Sequence, residues 1–231
     1  EEYDETASTY SPVKGWKSAP DPDDVLIAVE LLGKAKNPLI YAGEGVIYAD
    51  AADELKAFAE LANAPVITTL KAKGAFPEDH PLFVGVRGDH VVDYLTKSDL
   101  ILAVGSSLSP GRFSHGMPGA ADKTIIHLNI DELDVNKVYP TTHALMGDAK
   151  FSLQALTNLL STQTSGKGMS DNGAASAVKA ARDEGMAPYR EAMTSDDTPI
   201  NPYRVYAELM KVLDPRKSFV THESGNTRDQ L

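Results

Sequence analysis

The chain contains no cysteine and a single tryptophan among its 231 residues. The first absence excludes a disulfide scaffold, thiolate zinc sites and a thiol nucleophile. Basic charge is also scarce: 22 Lys and Arg stand against 33 Asp and Glu, for a net charge of −11, and no basic run concentrates it. A chain this acidic repels nucleic-acid phosphates and anionic lipid, so neither nucleic acid nor a membrane surface is an expected partner. No apolar stretch approaches the ~20 residues that span a bilayer, and the first residues do not read as a signal peptide. A soluble, cytoplasmic protein is the expectation. What is present is ordinary for a globular fold: 42% hydrophobic and 24% charged residues in 24.8 kDa, enough for one large domain or one and a half ordinary ones. The sequence opens at Glu1 rather than Met and stops at Leu231 after an incomplete unit, so it is expected to be a piece of something longer.

Residues 1–22 carry no apolar periodicity and read as an arm or linker. Asp21-Pro22 sets up a helix with an apolar face of Val25, Leu26, Val29, Leu31 and Leu32, closed by Gly33. Short apolar runs and helices then alternate. The runs are Pro38–Ala42, Pro65–Thr69, Leu82–Gly85, Asp99–Gly105, Thr124–Ile130 and Ala144–Met146. Asp50, Asp89 and Asp148 are expected to cap the helices that follow them. Runs that do not strictly alternate suit strands buried on both faces. Interleaved with helices, they predict right-handed parallel crossovers and a doubly wound six-stranded α/β sheet, Rossmann-like, in the order 3-2-1-4-5-6. Residues 23–160 form this central domain. Residues 161–173 read as a linker by composition, and Ala174–Met193 as a helix interrupted near Gly185 and Pro188, giving a linker with a helix over 161–198. A new unit begins in 199–231, with a helix from Pro202 and a strand over Ser218–Thr221, too little to close a core.

In an open α/β sheet, ligands bind at the carboxyl ends of the strands, where loops and helix N-termini gather. Those loops are glycine-rich here: Gly43-Glu44-Gly45, Gly105-Ser106, Gly147-Asp148. The set is expected to permit close backbone approach to an anion, although glycine for a tight turn explains any single loop equally well. Gly43-Glu44-Gly45-Val46-Ile47-Tyr48 departs from the dinucleotide fingerprint at Tyr48, and the second strand ends in Thr68-Thr69 with no acid for a ribose hydroxyl. Positive charge on the edge comes from Lys71, Lys73, Arg87 and Arg112, of which Arg112 is the candidate for a bidentate pyrophosphate or ribose contact. Asp131 ends the fifth strand, where its carboxylate can accept from ribose hydroxyls or cap its own turn. The six histidines have no close metal-ligand spacing, and His127, inside a strand, reads as a core residue. No catalytic constellation stands out, so no catalytic and no metal-binding residue is assigned.

The order of the pieces carries a resemblance: Asn37-Pro-Leu-Ile-Tyr-Ala-Gly-Glu-Gly-Val46, Ala64-Pro-Val-Ile-Thr-Thr69, Lys73-Gly74, His80-Pro-Leu-Phe-Val-Gly85, Ser98-Asp-Leu-Ile-Leu-Ala-Val-Gly105, His127-Leu-Asn-Ile-Asp131 and Gly147-Asp148. Together these resemble the central domain of thiamine-diphosphate-dependent enzymes of the acetolactate synthase type. Phe219-Val-Thr-His-Glu-Ser-Gly-Asn226 resembles the opening of the family's diphosphate-binding domain, with Gly225 and Asn226 at the turn beside the cofactor. The resemblance implies a parent lyase or transferase that decarboxylates 2-keto acids and makes or breaks carbon–carbon bonds. Thiamine diphosphate and magnesium would be its cofactors, and it would form homodimers or homotetramers. It also implies FAD or ADP in a largely structural role in the central domain, on Gly43, Glu44, Gly45, Gly105, Ser106, Arg112, Asp131, Gly147 and Asp148; in some relatives that site is vacant. The family's activating glutamate has no counterpart before residue 20, and its Gly-Asp-Gly metal motif is absent. The chain alone is therefore expected to be inactive, its partners being the N- and C-terminal domains of the same protein. A free-standing nucleotide-binding module and an NAD-dependent enzyme on a similar sheet are the competing readings.

Overall fold

The computed structural model describes residues 15–110, 115–214, 217, 218, 220 and 221. Helix α1 (Pro22–Lys34) begins where Asp21 accepts a hydrogen bond from the Asp23 N–H and Pro22 fills the first turn, a place where its missing donor is not needed. It buries Val25, Ala28, Val29 and Leu32, whereas Leu26 faces outward, and it runs one residue past Gly33.

The strands β1 (Pro38–Ala42), β2 (Val66–Thr68), β3 (Phe83–Gly85), β4 (Leu100–Val104), β5 (Thr124–Asn129) and β6 (His143–Met146) form one parallel sheet ordered β3-β2-β1-β4-β5-β6. The central strand β4 is buried throughout. Its Leu100, Leu102 and Val104 join one core and Ile101 and Ala103 the other, as a strand covered on both faces must. One core is closed by α1, α3 (Ala52–Ala62) and α5 (Ala149–Gln163), with Phe58 and Leu156 fully buried between sheet and helices. The other is closed by α4 (Asp89–Lys97) and α6 (Ala174–Met186). A single turn, α2 (Gly45–Tyr48), lies between β1 and α3. After α6 a 3-10 turn leads into α7 (Arg190–Thr194) and α8 (Pro202–Val212), which pack on each other. No residue of α8 is buried.

Four local expectations are corrected. Asp50 does not cap α3: its φ is +52° and Ala51 takes the cap position. A capping side chain needs an extended backbone, and residue 50 is spent on reversing the chain between α2 and α3; its carboxylate pairs with Lys150 at 3.2 Å. Asp89 is the first residue of α4 rather than its cap, which is Gly88 at φ +116°. Asp148 does cap α5, accepting from the N–H groups of Lys150 and Phe151. The stretch 161–173 is no free linker: α5 continues to Gln163, the Met169 N–H donates to the Leu61 carbonyl at 2.8 Å, and Asn63 binds Asn172 at 2.9 Å. Among the described residues no strand forms at Ser218, Val220 or Thr221; Phe219 lies outside the described residues.

His90, in the first turn of α4, packs its ring against Gly185 of α6 and Gly85 of β3. A Cβ on Gly185 of α6 would lie 2.8 Å from its Nδ1, and one on Gly85 2.9 Å from its Nε2. Burial pushes its pKa below the ordinary 6.5; a hydrogen bond at the Val84 backbone opposes this, Arg182 adds to it and Asp89 opposes it. The unfolded chain therefore takes up this proton first as the pH falls. The stabilisation from neutral His90 is complete above pH 6.5 and is lost as the pH drops toward the folded-state value. The urea midpoint is expected to fall between about pH 7.5 and about pH 5.5, and to fall less in His90→Gln. Equal slopes in both proteins would remove His90 as the cause.

Candidate nucleotide site at the carboxyl edge

β1 and β4 are neighbours from which the chain leaves in opposite directions along the sheet, from β1 through α3 to β2 and from β4 to β5. This is the switch point at which an open α/β sheet leaves a crevice. The ladder runs one step past the strands there. The Gly43 N–H donates to Val104 O at 2.8 Å, Gly45 to Gly105 O at 2.9 Å and Gly105 to Leu128 O at 2.9 Å. A Cβ on Gly43 would meet Gly105 O at 2.3 Å, and one on Gly105, whose φ is +59°, would meet the Gly45 Cα at 2.8 Å. These glycines are needed where backbone lies on backbone. Close approach to an anion, the role the sequence suggested, is not what the positions require.

Above the crossing lies a cavity of about 650 Å³. Of the residues expected to hold FAD or ADP, all the described ones line it: Gly43, Glu44, Gly45, Gly105, Ser106, Asp131, Gly147 and Asp148. Arg112, Gly225 and Asn226 lie outside the described residues. Lys73 and Arg87 do not line the cavity; Lys71 does, paired with Glu44 at 3.2 Å.

The acidic residues divide by environment. Asp148 is 5% exposed; besides capping α5 it faces Lys17 at 3.5 Å, and its N–H donates to Ser18 O at 2.9 Å. Lys17 also donates to Ala49 O at 3.3 Å. A short strap from residue 17 thus joins Ala49 to Asp148, both of which line the cavity, and a Cβ on Gly147 would strike it at Pro20 N, 3.0 Å away. Asp134 pairs with Lys137 at 3.0 Å. Asp131 is exposed and caps its own turn, Oδ1 accepting from the Leu133 N–H at 3.0 Å; among the described residues no Lys or Arg pairs with it.

Sequence reasoning missed part of the wall. Thr68 is 2% exposed, and its Oγ1 has no hydrogen-bond partner among the described residues; the sequence marked it only as a missing acid. His115 also lines the cavity, and its buried Nε2 has no hydrogen-bond partner among the described residues. Burial first, then Arg87 and His90, lower its pKa, against Asp89. His127 is the buried strand residue expected, but it is not inert: its Nε2 lies 2.7 Å from Ser106 O. Strand parity, which puts residues 125, 127 and 129 on one face, was the available signal. Among the described residues no group of three or more His, Asp or Glu is placed to hold a metal ion, and no helix is long and apolar enough to cross a membrane.

Residues 25–156 match the family described as the thiamine pyrophosphate enzyme central domain. The chain is 41% identical over 167 residues to the acetolactate synthase large subunit of Corynebacterium glutamicum, covering 68% of this chain and 25% of that protein. It is 30% identical over 230 residues to glyoxylate carboligase of Escherichia coli O157:H7, covering 92% of this chain and 36% of that protein. The crystal structure of benzoylformate decarboxylase from Polynucleobacter necessarius superposes with a TM-score of 0.59 at 25% identity, covering 86% of this chain and 35% of that one. The chain thus spans about a quarter to a third of the curated relatives it matches.

The backbone crossing makes a sharp prediction. Gly74 and Gly105 both have positive φ, +85° and +59°, but a Cβ on Gly74 meets nothing within 4 Å. Gly74→Ala is expected to cost only the left-handed backbone term, about 1–2 kcal/mol. Gly105→Ala adds the clash and should cost clearly more, about 3 kcal/mol or above. Equal losses in denaturant unfolding would show that the crossing is not under steric constraint.

Proposed function

The chain belongs to the family of thiamine pyrophosphate enzyme central domains, and from that premise we propose that it is the middle segment of an acetolactate synthase-like carboligase or lyase acting on 2-keto acids. The parent would be a cytoplasmic homodimer or homotetramer whose other domains bind thiamine diphosphate and magnesium. The described residues offer no metal-ligand cluster, so none is given a part in that chemistry. The role of this segment is structural, with an adenine nucleotide, FAD or ADP, held in the cavity at the β1–β4 switch point.

The observation that carries the ligand reading is that cavity. At about 650 Å³ it has the size of a small-molecule pocket, and Thr68 Oγ1 is a buried polar atom of a lining residue with no hydrogen-bond partner among the described residues. The strand order supports a reading of the failed fingerprint: β5 flanks β4 as β2 flanks β1, and the acid missing after β2 stands after β5 as Asp131. The nucleoside half of the ligand is therefore assigned to the β4–β5 side. There Asp131, which pairs with no Lys or Arg among the described residues, can accept from ribose hydroxyls, and Arg112 is the proposed source of positive charge for the diphosphate.

Titration calorimetry with ADP and FAD tests the site. Asp131→Asn keeps an acceptor for the Leu133 N–H but removes the charge. A lost charge-assisted hydrogen bond is worth about 1.5–3 kcal/mol, so binding should weaken roughly 10- to 150-fold. Lys56→Ala, on α3 and away from the cavity, should bind as the parent sequence does. Absence of heat with either ligand would make this domain a spacer with a vacant site. Incubated with pyruvate, thiamine diphosphate and magnesium, the chain alone is expected to release no carbon dioxide.

A further inference from the structure

The buried polar side chains of β5 converge on one carbonyl. His127, 1% exposed, places Nε2 2.7 Å from Ser106 O, and Asn129, 6% exposed, donates to the same oxygen at 3.3 Å. A carbonyl only accepts, so His127 carries its proton on Nε2. Its Nδ1 is then left buried with no partner among the described residues, a cost that packing alone does not explain. Ile125, two residues earlier on the same face, fills its place in the core with no polar atom. Asn129 reaches further. Its Oδ1 accepts from the Asp131 N–H at 3.1 Å, and its Nδ2 lies 3.4 Å from Asp134 Oδ2. One side chain thus joins the loop after β4 to the loop after β5.

In a trans peptide the C=O and the N–H point in opposite directions. With the Ser106 carbonyl drawn toward β5, the Ser107 N–H is turned away from β5, on a loop that lines the cavity. We infer that His127 and Asn129 are positioning residues: they fix the peptide between Ser106 and Ser107 so that the Ser107 N–H donates to a phosphate oxygen, at a set distance from Asp131. His127 does this without touching the ligand. The inference rests on the adenine-nucleotide reading and adds to it the group that receives the phosphate and the groups that aim it.

The test compares ADP with adenosine on the full chain, in the original sequence, His127→Phe and His127→Gln. His127→Phe should weaken ADP about tenfold or more, the scale of one hydrogen bond to a charged group, and change adenosine less than about twofold. His127→Gln, whose amide can donate to the same carbonyl, should recover most of the ADP affinity. Equal weakening of both ligands would mean that His127 serves only the fold, and unchanged ADP binding would overturn the proposal. Should His127→Phe not fold, His127→Asn, polar but too short to reach Ser106, replaces it. The free protein gives a second readout, because an amide 15N resonance responds to whether the preceding carbonyl accepts a hydrogen bond. The Ser107 resonance should move in His127→Phe and stay in place in Lys56→Ala; an unmoved resonance overturns the clamp whether or not a nucleotide binds. Failure of the original sequence to bind either ligand, with the resonance still moving, would sink the nucleotide reading and the positioning role with it, and leave only the carbonyl clamp.

Discussion

The carboxyl edge depends on one contact between two stretches of bare backbone. Where β1 and β4 end, Gly43 and Gly45 lie against Gly105 closely enough that a methyl group on any of them would overlap main-chain atoms. Glycine is costly in an ordered loop because it gives up more conformational freedom than other residues. Here the cost brings the two loops into register through the hydrogen bond from Gly45 to Gly105. With that register set, Glu44 and Ser106 face one cavity. Ser106 then falls within reach of the strand next door.

The strands could be read from the sequence because parallel strands covered on both faces need unbroken apolar runs. Asp99–Gly105 is such a run, and β4 lies inside it. Caps were legible only in part. Asp21 and Asp148 sit on extended backbone and cap, whereas Asp50 has the same side chain on a left-handed backbone and cannot. That distinction depends on how the preceding turn exits, which a local pattern does not record. At the site, Gly43, Asp131 and Asp148 were visible because strand ends are visible. Thr68, His127 and Asn129 were not, since their significance depends on what lies across the sheet. The hydrogen bond of His127 to Ser106 spans 21 residues of sequence and exists only because β4 and β5 are adjacent.

Charge at the edge is locally balanced rather than pooled. Glu44 faces Lys71, Asp134 faces Lys137, and Asp148 faces Lys17. Each pairing leaves the cavity wall closer to neutral than its roster of carboxylates suggests, and exposed pairs of this kind add little to stability. Asp148 differs, being buried and held by two N–H groups as well as by Lys17. At the far end of the chain the balance is between helices. Arg204 of α8 binds the Ser195 carbonyl at 3.0 Å and Asp196 at 3.1 Å, and Tyr189 packs on Tyr203 with ring centroids 4.9 Å apart. The pair holds itself together while leaving Val205, Leu209 and Met210 exposed.

The strap at residues 17–20 fastens two parts of the cavity wall to each other. Lys17 grips the Ala49 carbonyl and the Asp148 carboxylate at once, and Ser18 takes the N–H at the head of α5. The arm therefore ties the turn after α2 to the head of α5, joining residues 49 and 148, far apart in the chain, at one point where both line the same chamber.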